Sequence, residues 1–356
     1  DGSNIYGSTE HESEDVRDRG DRGLLAVTPG PSRARGLLPV CAEAITRAQR
    51  LAEEAPESCD TRVGSGGRNF VGGDLRVNEQ PMLTVQHTVW VREHNRVAGK
   101  LGKINPVWRG ERLFQETRRI VVAEWQHIVY NEWLPILLGT SYMRTFGLLP
   151  LTSGYSQDYD PQFDPRINNE FATAAFRFAH SLVTPNVPST DVQGRNTTRL
   201  DLKNVFNQGA LVGEAGFIAD TVRGLTRDRV PAFDGTFVDD IVDHLFEDDE
   251  GDNGGLDLPA LNIQRGREHG LPGYNQYREQ CASSSNNFGK ISDFSQLTRG
   301  SWLSSGDASN LRSVYKNVND IDLFAGAMLE EAHREGLVGP TFKCIIGDQF
   351  TRLKRG

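Results

Sequence analysis

No apolar run in the 356 residues approaches the roughly 20 that a membrane-spanning helix needs, so a helical membrane protein is excluded. Basic residues are not in excess either. Lys and Arg number 39 against 48 Asp and Glu, the net charge is −9 and the pI is about 5.5. The cationic face that a nucleic acid or an anionic membrane would call for is missing, and neither is an expected partner. Cysteine is scarce. The four residues Cys41, Cys59, Cys281 and Cys344 include no Cys-x-x-Cys pair, which argues against zinc and thioredoxin-type chemistry. There are no internal repeats, and no low-complexity tract is longer than Ser283-Ser284-Ser285-Asn286-Asn287. The chain opens at Asp1 with neither an initiator Met nor a signal-like apolar stretch, so a processed precursor or a fragment is expected.

What is present is a globular composition, 37% hydrophobic and 24% charged. Four cysteines allow three pairings. The economical one is Cys41 with Cys59 and Cys281 with Cys344, each closing a loop within its own half. An even cysteine count, together with the single sequon Asn196-Thr197-Thr198, favours a secreted protein.

Residues 1–75 are rich in Gly, Pro and Arg and read as loop with short elements. From Pro81 the pattern becomes helical, with Leu83, His87, Trp90, Val91 and His94 at three- and four-residue spacing. A second long helix is predicted from near Pro106 to Gly139, its face carrying Leu113, Ile120, Val121, Trp125, Ile128 and Val129. A third runs from Asn168 through Leu182 and is closed off by Pro185. An amphipathic segment spans Val230–Phe246, and two helices, Leu256–Gly266 and Leu271–Cys281, meet at a hinge at Gly270. Short helices finish the chain. The expected class is mainly α with long ordered loops and few strands.

Three segments put polar groups at helical spacing. Arg76 and Glu79 are three apart just before Pro81. Arg177 and His180 are three apart between Phe176 and Phe178, which would wall a pocket. Asn262 and Arg265 are three apart in Leu261–Gly270. Each alone has an ordinary reading as a core histidine, a solvated ion pair or a surface arginine. Together they offer what a haem requires: one axial ligand, apolar walls, cations for two propionates, and an acceptor that orients the ligand imidazole.

The stretch Glu79–Arg96, with Glu-Gln-Pro-x-Leu-Thr-x-x-His-Thr-x-x-x-Arg-Glu-His-Asn-Arg, resembles the central helix motif of the animal haem peroxidase superfamily. Leu261–Tyr274 is similar to that family's proximal signature, and Asp1–Ser8 to its calcium loop. The motifs stand in family order and cover essentially the whole chain. The resemblance implies a mainly helical peroxidase domain over residues 1–356, cut short at both ends. Its activity would be peroxide-dependent oxidation of organic donors or halides in the extracellular space.

It also implies roles. His180 would be the axial iron ligand, with Asn262 accepting its ring proton. Arg76 would polarise the O–O bond of peroxide. Arg177 and Arg265 would lie near the proximal histidine and the propionates. Glu79 matches a carboxylate that can form an ester with a haem methyl, so haem b is the expected cofactor, with covalent attachment left open. Gln80 stands where one subgroup has a sulfonium-forming Met, so chloride-type oxidation is not expected. Asp1 and Ser3 match two calcium ligands of a loop whose other ligands lie upstream, as does the family's distal catalytic His. Half a loop would bind calcium poorly. His87 and His94 read as packing residues and not as a substitute distal base. The competing reading is an adhesion or matrix protein that uses the domain as a scaffold, with Arg19-Gly20-Asp21 as an exposed integrin-type tripeptide.

Overall fold

The computed structural model describes residues 2–356 except 31–35, 52–55, 57–58, 60–68, 198–199, 248–253, 283–287 and 333–334, and it leaves out the side chains of 47 and 49–51. Asp1 and the Ser283–Asn287 tract therefore lie outside the described residues. Helices dominate, as the periodicity implies. Among the described residues the only sheet is a two-residue antiparallel ladder, Asn186–Val187 against Leu200–Asp201. The chain divides into two compact units. One holds Asp1–Gln126, Thr184–Arg229 and Phe246–Asn253; the other holds His127–Val183, Val230–Leu245 and Gly254–Gly356.

The first unit is built around the Pro81–Ile104 helix. Pro81 sits at its first position and the Gln80 side chain caps it by accepting from the Met82 N–H at 2.7 Å. Its buried face carries Val85, Val91, Val97 and both histidines, packed in a core with Ile5, Tyr6, Leu38, Phe70 and Phe114. Burying a side chain of the size of Phe114 contributes roughly 1.5–3 kcal/mol. The next helix begins at Gly110, not near Pro106, and its buried stripe is Leu113, Phe114, Thr117 and Val121. Ile120, Trp125 and Ile128 fall on its flank, 38 to 40% exposed, and Trp125 packs on Trp90 with ring centroids 4.7 Å apart. Cys41 and Cys59 are bonded, as expected.

The second unit has its own core of Leu134, Leu138, Met143, Phe171, Phe178, Tyr274, Phe324, Phe342 and Ile346. At its start the helix widens into a π segment, Val129–Trp133, before continuing as Leu134–Leu138. Pro135 has no N–H to donate to the carbonyl one turn back, and the wide turn directly precedes it. Gly139, at φ +83°, then ends the run. The Cys281–Cys344 bond lies wholly within this unit.

Three expectations need correction. The predicted 168–182 helix is an α-helical turn, Asn169–Thr173, then a break at Ala174, then a 3-10 helix, Ala175–Leu182. The 230–246 segment is mostly irregular, with one turn of helix at Asp239–Val242. The chain finishes not on short helices alone but on the 16-residue helix Pro340–Arg355. The hinge reading holds, with Leu258–Glu268 and Tyr274–Gln280 separated at Gly270, whose φ is +67°.

Candidate functional site

In the second unit, the 3-10 geometry of Ala175–Leu182 stacks residues three apart, which places Arg177 and His180 on one side. The Leu258–Glu268 helix brings in Asn262, which is fully buried. Arg177 donates from its guanidinium to Asn262 Oδ1 at 3.0 Å, and from Nε to the Ala172 carbonyl at 3.1 Å. Asn262 Nδ2 faces His180 Nδ1 at 2.8 Å. Arg177 and His180 thus meet the two ends of one buried carboxamide.

Burial, with the Arg177 charge adding to it, pushes the His180 imidazole down to about 4. It is therefore neutral at physiological pH, with one ring nitrogen fixed and Nε2 without a hydrogen-bond partner among the described residues. A neutral imidazole with one nitrogen oriented is the donor a haem iron takes, and this set fits the group. Ligation through Nε2 requires the proton on Nδ1, hence the Asn262 oxygen turned to His180.

The apolar walls are unequal. Phe176 is 43% exposed and stacks on Phe171 at 4.5 Å. Phe178 instead enters the core beside Trp133 and Phe233. Two residues apart in a threefold helix they point different ways, so Phe178 does not serve as an exposed wall. Arg265 is not drawn into the His180 cluster; it lies 3.8 Å from Glu268 with its side chain 47% exposed.

In the first unit, Arg76 and Glu79 stand on the 3-10 turn Leu75–Asn78 and its C-cap. The turn is held from three sides. Asn78 makes a ladder-like pair of bonds with the Phe70 backbone, both at 2.9 Å. Thr84 donates to the Val77 carbonyl at 2.7 Å, and the Asn207 N–H donates to the Glu79 carbonyl at 3.1 Å. Asp74 is the residue that sequence reasoning missed. It accepts from the Arg76 N–H at 2.9 Å as the N-cap, and takes the guanidinium at both oxygens, at 2.8 and 2.6 Å. An Asp two residues before Arg76 was the available signal. The bonds from Arg76 hold the Asp74 carboxyl below the usual range, while burial raises that of Glu79.

His87 and His94 are packing residues. His94 accepts from the Tyr6 hydroxyl at 2.9 Å and donates to the Gly23 carbonyl at 3.0 Å. His87 donates from Nδ1 to the Leu83 carbonyl at 2.8 Å, and its buried Nε2 lacks a partner. His87 lines a void of about 10 Å³, room for about one water. Of the calcium pair only Ser3 is described, in the short helix Ser3–Tyr6, with its carbonyl accepting from the Gly7 N–H at 2.7 Å. Among the described residues no group of three or more His, Cys, Asp or Glu is placed to hold a metal ion.

Arg19, Gly20 and Asp21 are all exposed. They occupy the loop closed by the Arg17–Leu25 bridge, with the Gly20 N–H donating to Asp18 at 2.7 Å. The Asp21 carboxylate lies 3.9 Å from Arg109. Asn196 of the sequon is also exposed, while Thr198 lies outside the described residues. No helix among the described residues is long and apolar enough to cross a membrane.

The sequence model of the animal haem peroxidase family matches residues 1–356. A peroxidasin homolog of Homo sapiens is 38% identical over 364 residues, covering 100% of this chain and 23% of its own length. Chorion peroxidase of Drosophila melanogaster is 38% identical over 358 residues, covering 100% and 40%. The chain thus spans well under half the length of these relatives. Among solved structures, Peroxidase A from Dictyostelium discoideum superposes with a TM-score of 0.80 at 29% identity, covering 100% of this chain and 62% of that one.

Proposed function

The chain belongs to the animal haem peroxidase family, and on that premise we propose that it forms the histidine-ligand and arginine-bearing part of an extracellular haem peroxidase. Its substrates are hydrogen peroxide and an organic or halide donor. The observation that carries the reading is the Arg177–Asn262–His180 chain of contacts at 3.0 and 2.8 Å.

A bound haem supplies redox-active iron. His180 would hold it through Nε2, with Asn262 fixing the plane of the imidazole from the opposite nitrogen. With its oxygen toward Nδ1, Asn262 would make the ligand more basic. Arg177, half-buried, bonds to the same carboxamide and keeps it in place. Arg76 would provide a cation, pre-aligned by Asp74, for the negative charge developing on a peroxide oxygen. Glu79 is half-buried, with its carboxyl pKa raised by burial, and would be the residue for an ester to the macrocycle. The calcium reading retains Ser3 as one oxygen donor. Arg265, exposed on its helix, would serve a propionate.

A hemin titration tests this. The chain should develop a Soret band that saturates, and His180→Ala should abolish it. A normal band in His180→Ala would remove the ligand assignment.

A second reading has one observation behind it: Arg19-Gly20-Asp21 lies exposed in the loop closed at Arg17 and Leu25. We propose that this loop can serve cell attachment independently of peroxide chemistry. Asp21→Glu should reduce attachment of integrin-bearing cells to the immobilised chain, and equal attachment by both proteins would reject it.

A further inference from the structure

The chain has eight tyrosines, and their environments differ sharply. Tyr6 and Tyr274 are fully buried, and Tyr130, Tyr142, Tyr277 and Tyr315 are half-buried. Tyr155 is 91% exposed and Tyr159 is 70% exposed. Both stand in 155–160, a stretch with no helix, strand or turn, and neither hydroxyl bonds to another described residue.

The two differ in their neighbours. Tyr159 is flanked on both sides by Asp158 and Asp160, with Asp164 five residues on, and no Lys, Arg or His falls within five positions either way. Tyr155 has Ser156 and Gly154 beside it. We propose that Tyr159 is an acceptor for tyrosine O-sulfation, a modification that rests on the extracellular reading given above.

An enzyme that transfers a sulfuryl group must hold phosphoadenosyl phosphosulfate, a polyanion, in a cationic site. Such a site draws in an acceptor whose chain neighbours are carboxylates, and entry of the segment into it exchanges the Lys354 partner of Asp158 for the cations of the transferase. In the transfer, the Tyr159 oxygen forms a bond to sulfur and the bond from sulfur to the phosphate oxygen breaks. Adenosine bisphosphate leaves with that electron pair, and the phenolic proton passes to the transferase base. The segment must also be able to enter a cleft. Its tethers are slight: Lys354 pairs with Asp158 at 2.9 Å, and the Asp160 N–H donates to the Arg355 carbonyl at 2.6 Å. The Asp158 side chain is 49% exposed, and an ion pair of that kind holds a loop only weakly.

The surroundings also suit the product. Tyr159 lines a crevice of about 650 Å³ together with Thr145, Thr351, Lys354 and Arg355. Two cations at the end of the Pro340–Arg355 helix thus share a crevice with the ring that would carry the new anion.

The test is in vitro transfer to the purified full chain, using a tyrosylprotein sulfotransferase and a labelled phosphosulfate donor. Peptide mass spectrometry should place the sulfuryl group on Tyr159. Tyr159→Phe should lose most of the label, Tyr155→Phe should keep it, and the double substitution Asp158→Asn with Asp160→Asn should lower kcat/KM about tenfold. Equal labelling of Tyr159→Phe, or none on the unaltered chain, overturns the inference. Chain recovered from the medium of animal cells should carry sulfate on Tyr159, and unmodified or phosphorylated Tyr159 there also overturns it. Failure to reach the medium would count against the extracellular reading instead, and would leave the in vitro result standing.

Discussion

Asn262 joins His180 to Arg177: its carboxamide lies 2.8 Å from His180 Nδ1 at one end and 3.0 Å from the Arg177 guanidinium at the other. Asn262→Asp sets a carboxylate, which can only accept, against Nδ1. The His180 pKa, now about 4, should rise by roughly 1–3 units. A nitrogen-15 NMR titration of the haem-free chain reads the shift. An unchanged pKa would mean that the two side chains do not meet in solution.

Arg76 is argued to act on peroxide and not on haem retention. Arg76→Leu should therefore leave the hemin titration unaltered while slowing the peroxide reaction by about 10²–10³-fold. Asp74→Asn is the finer probe. Asn caps a turn as well as Asp does, so stability should hold while the guanidinium loses its bidentate partner. Stopped-flow mixing with peroxide would show a smaller slowing than in Arg76→Leu. A rate equal to wild type in both variants would take Arg76 out of the mechanism.

The contribution of His94 to stability should fall on acidification. Burial, with the nearby Arg17 charge, holds its pKa at about 4, whereas an unfolded chain takes the proton near 6.5. Between those values the unfolded state binds more protons, so the contribution is complete above 6.5 and is lost toward 4, on the order of 3 kcal/mol. Glu330 works the other way. Its pKa is raised to about 7 by burial, so its contribution is present below about 4.5 and fades as pH rises to 7. Over pH 7 to 4.5 the two effects oppose each other at similar size, so urea unfolding should show His94→Gln gaining stability relative to the unaltered chain as the pH falls.

The Glu330 carboxylate, fully buried, accepts from the Tyr274 hydroxyl at 2.7 Å, and from the Thr341 N–H and hydroxyl at 2.8 and 2.7 Å. The Arg278 guanidinium, 2% exposed, lies 3.9 Å away and donates to the same Tyr274 oxygen at 2.9 Å. Glu330→Ala leaves a buried cation without its counter-ion and should cost about 3–5 kcal/mol above roughly pH 8, where Glu330 is ionised. Adding Arg278→Met should recover part of that loss. If the double variant is no more stable than the single one, the cost lies in packing and not in the stranded charge.

Much of this protein follows from local spacing. Helical periodicity located the Pro81–Ile104 helix and the hinge at Gly270, and economy of loop closure selected the observed cysteine pairs. Motif order was enough to identify the family, because residue identities along a segment survive without knowledge of packing. Arg177 and His180 share a side whether their segment is α-helical or 3-10, so that relation too was readable. Tertiary structure alone decided that Asn262 meets both His180, across 82 residues, and Arg177, across 85. It also decided that Arg265 stays at the surface and that Phe178 goes to the core. Backbone periodicity states which side chains can share a face; only the competition among donors, acceptors and apolar neighbours from distant segments determines which of them meet.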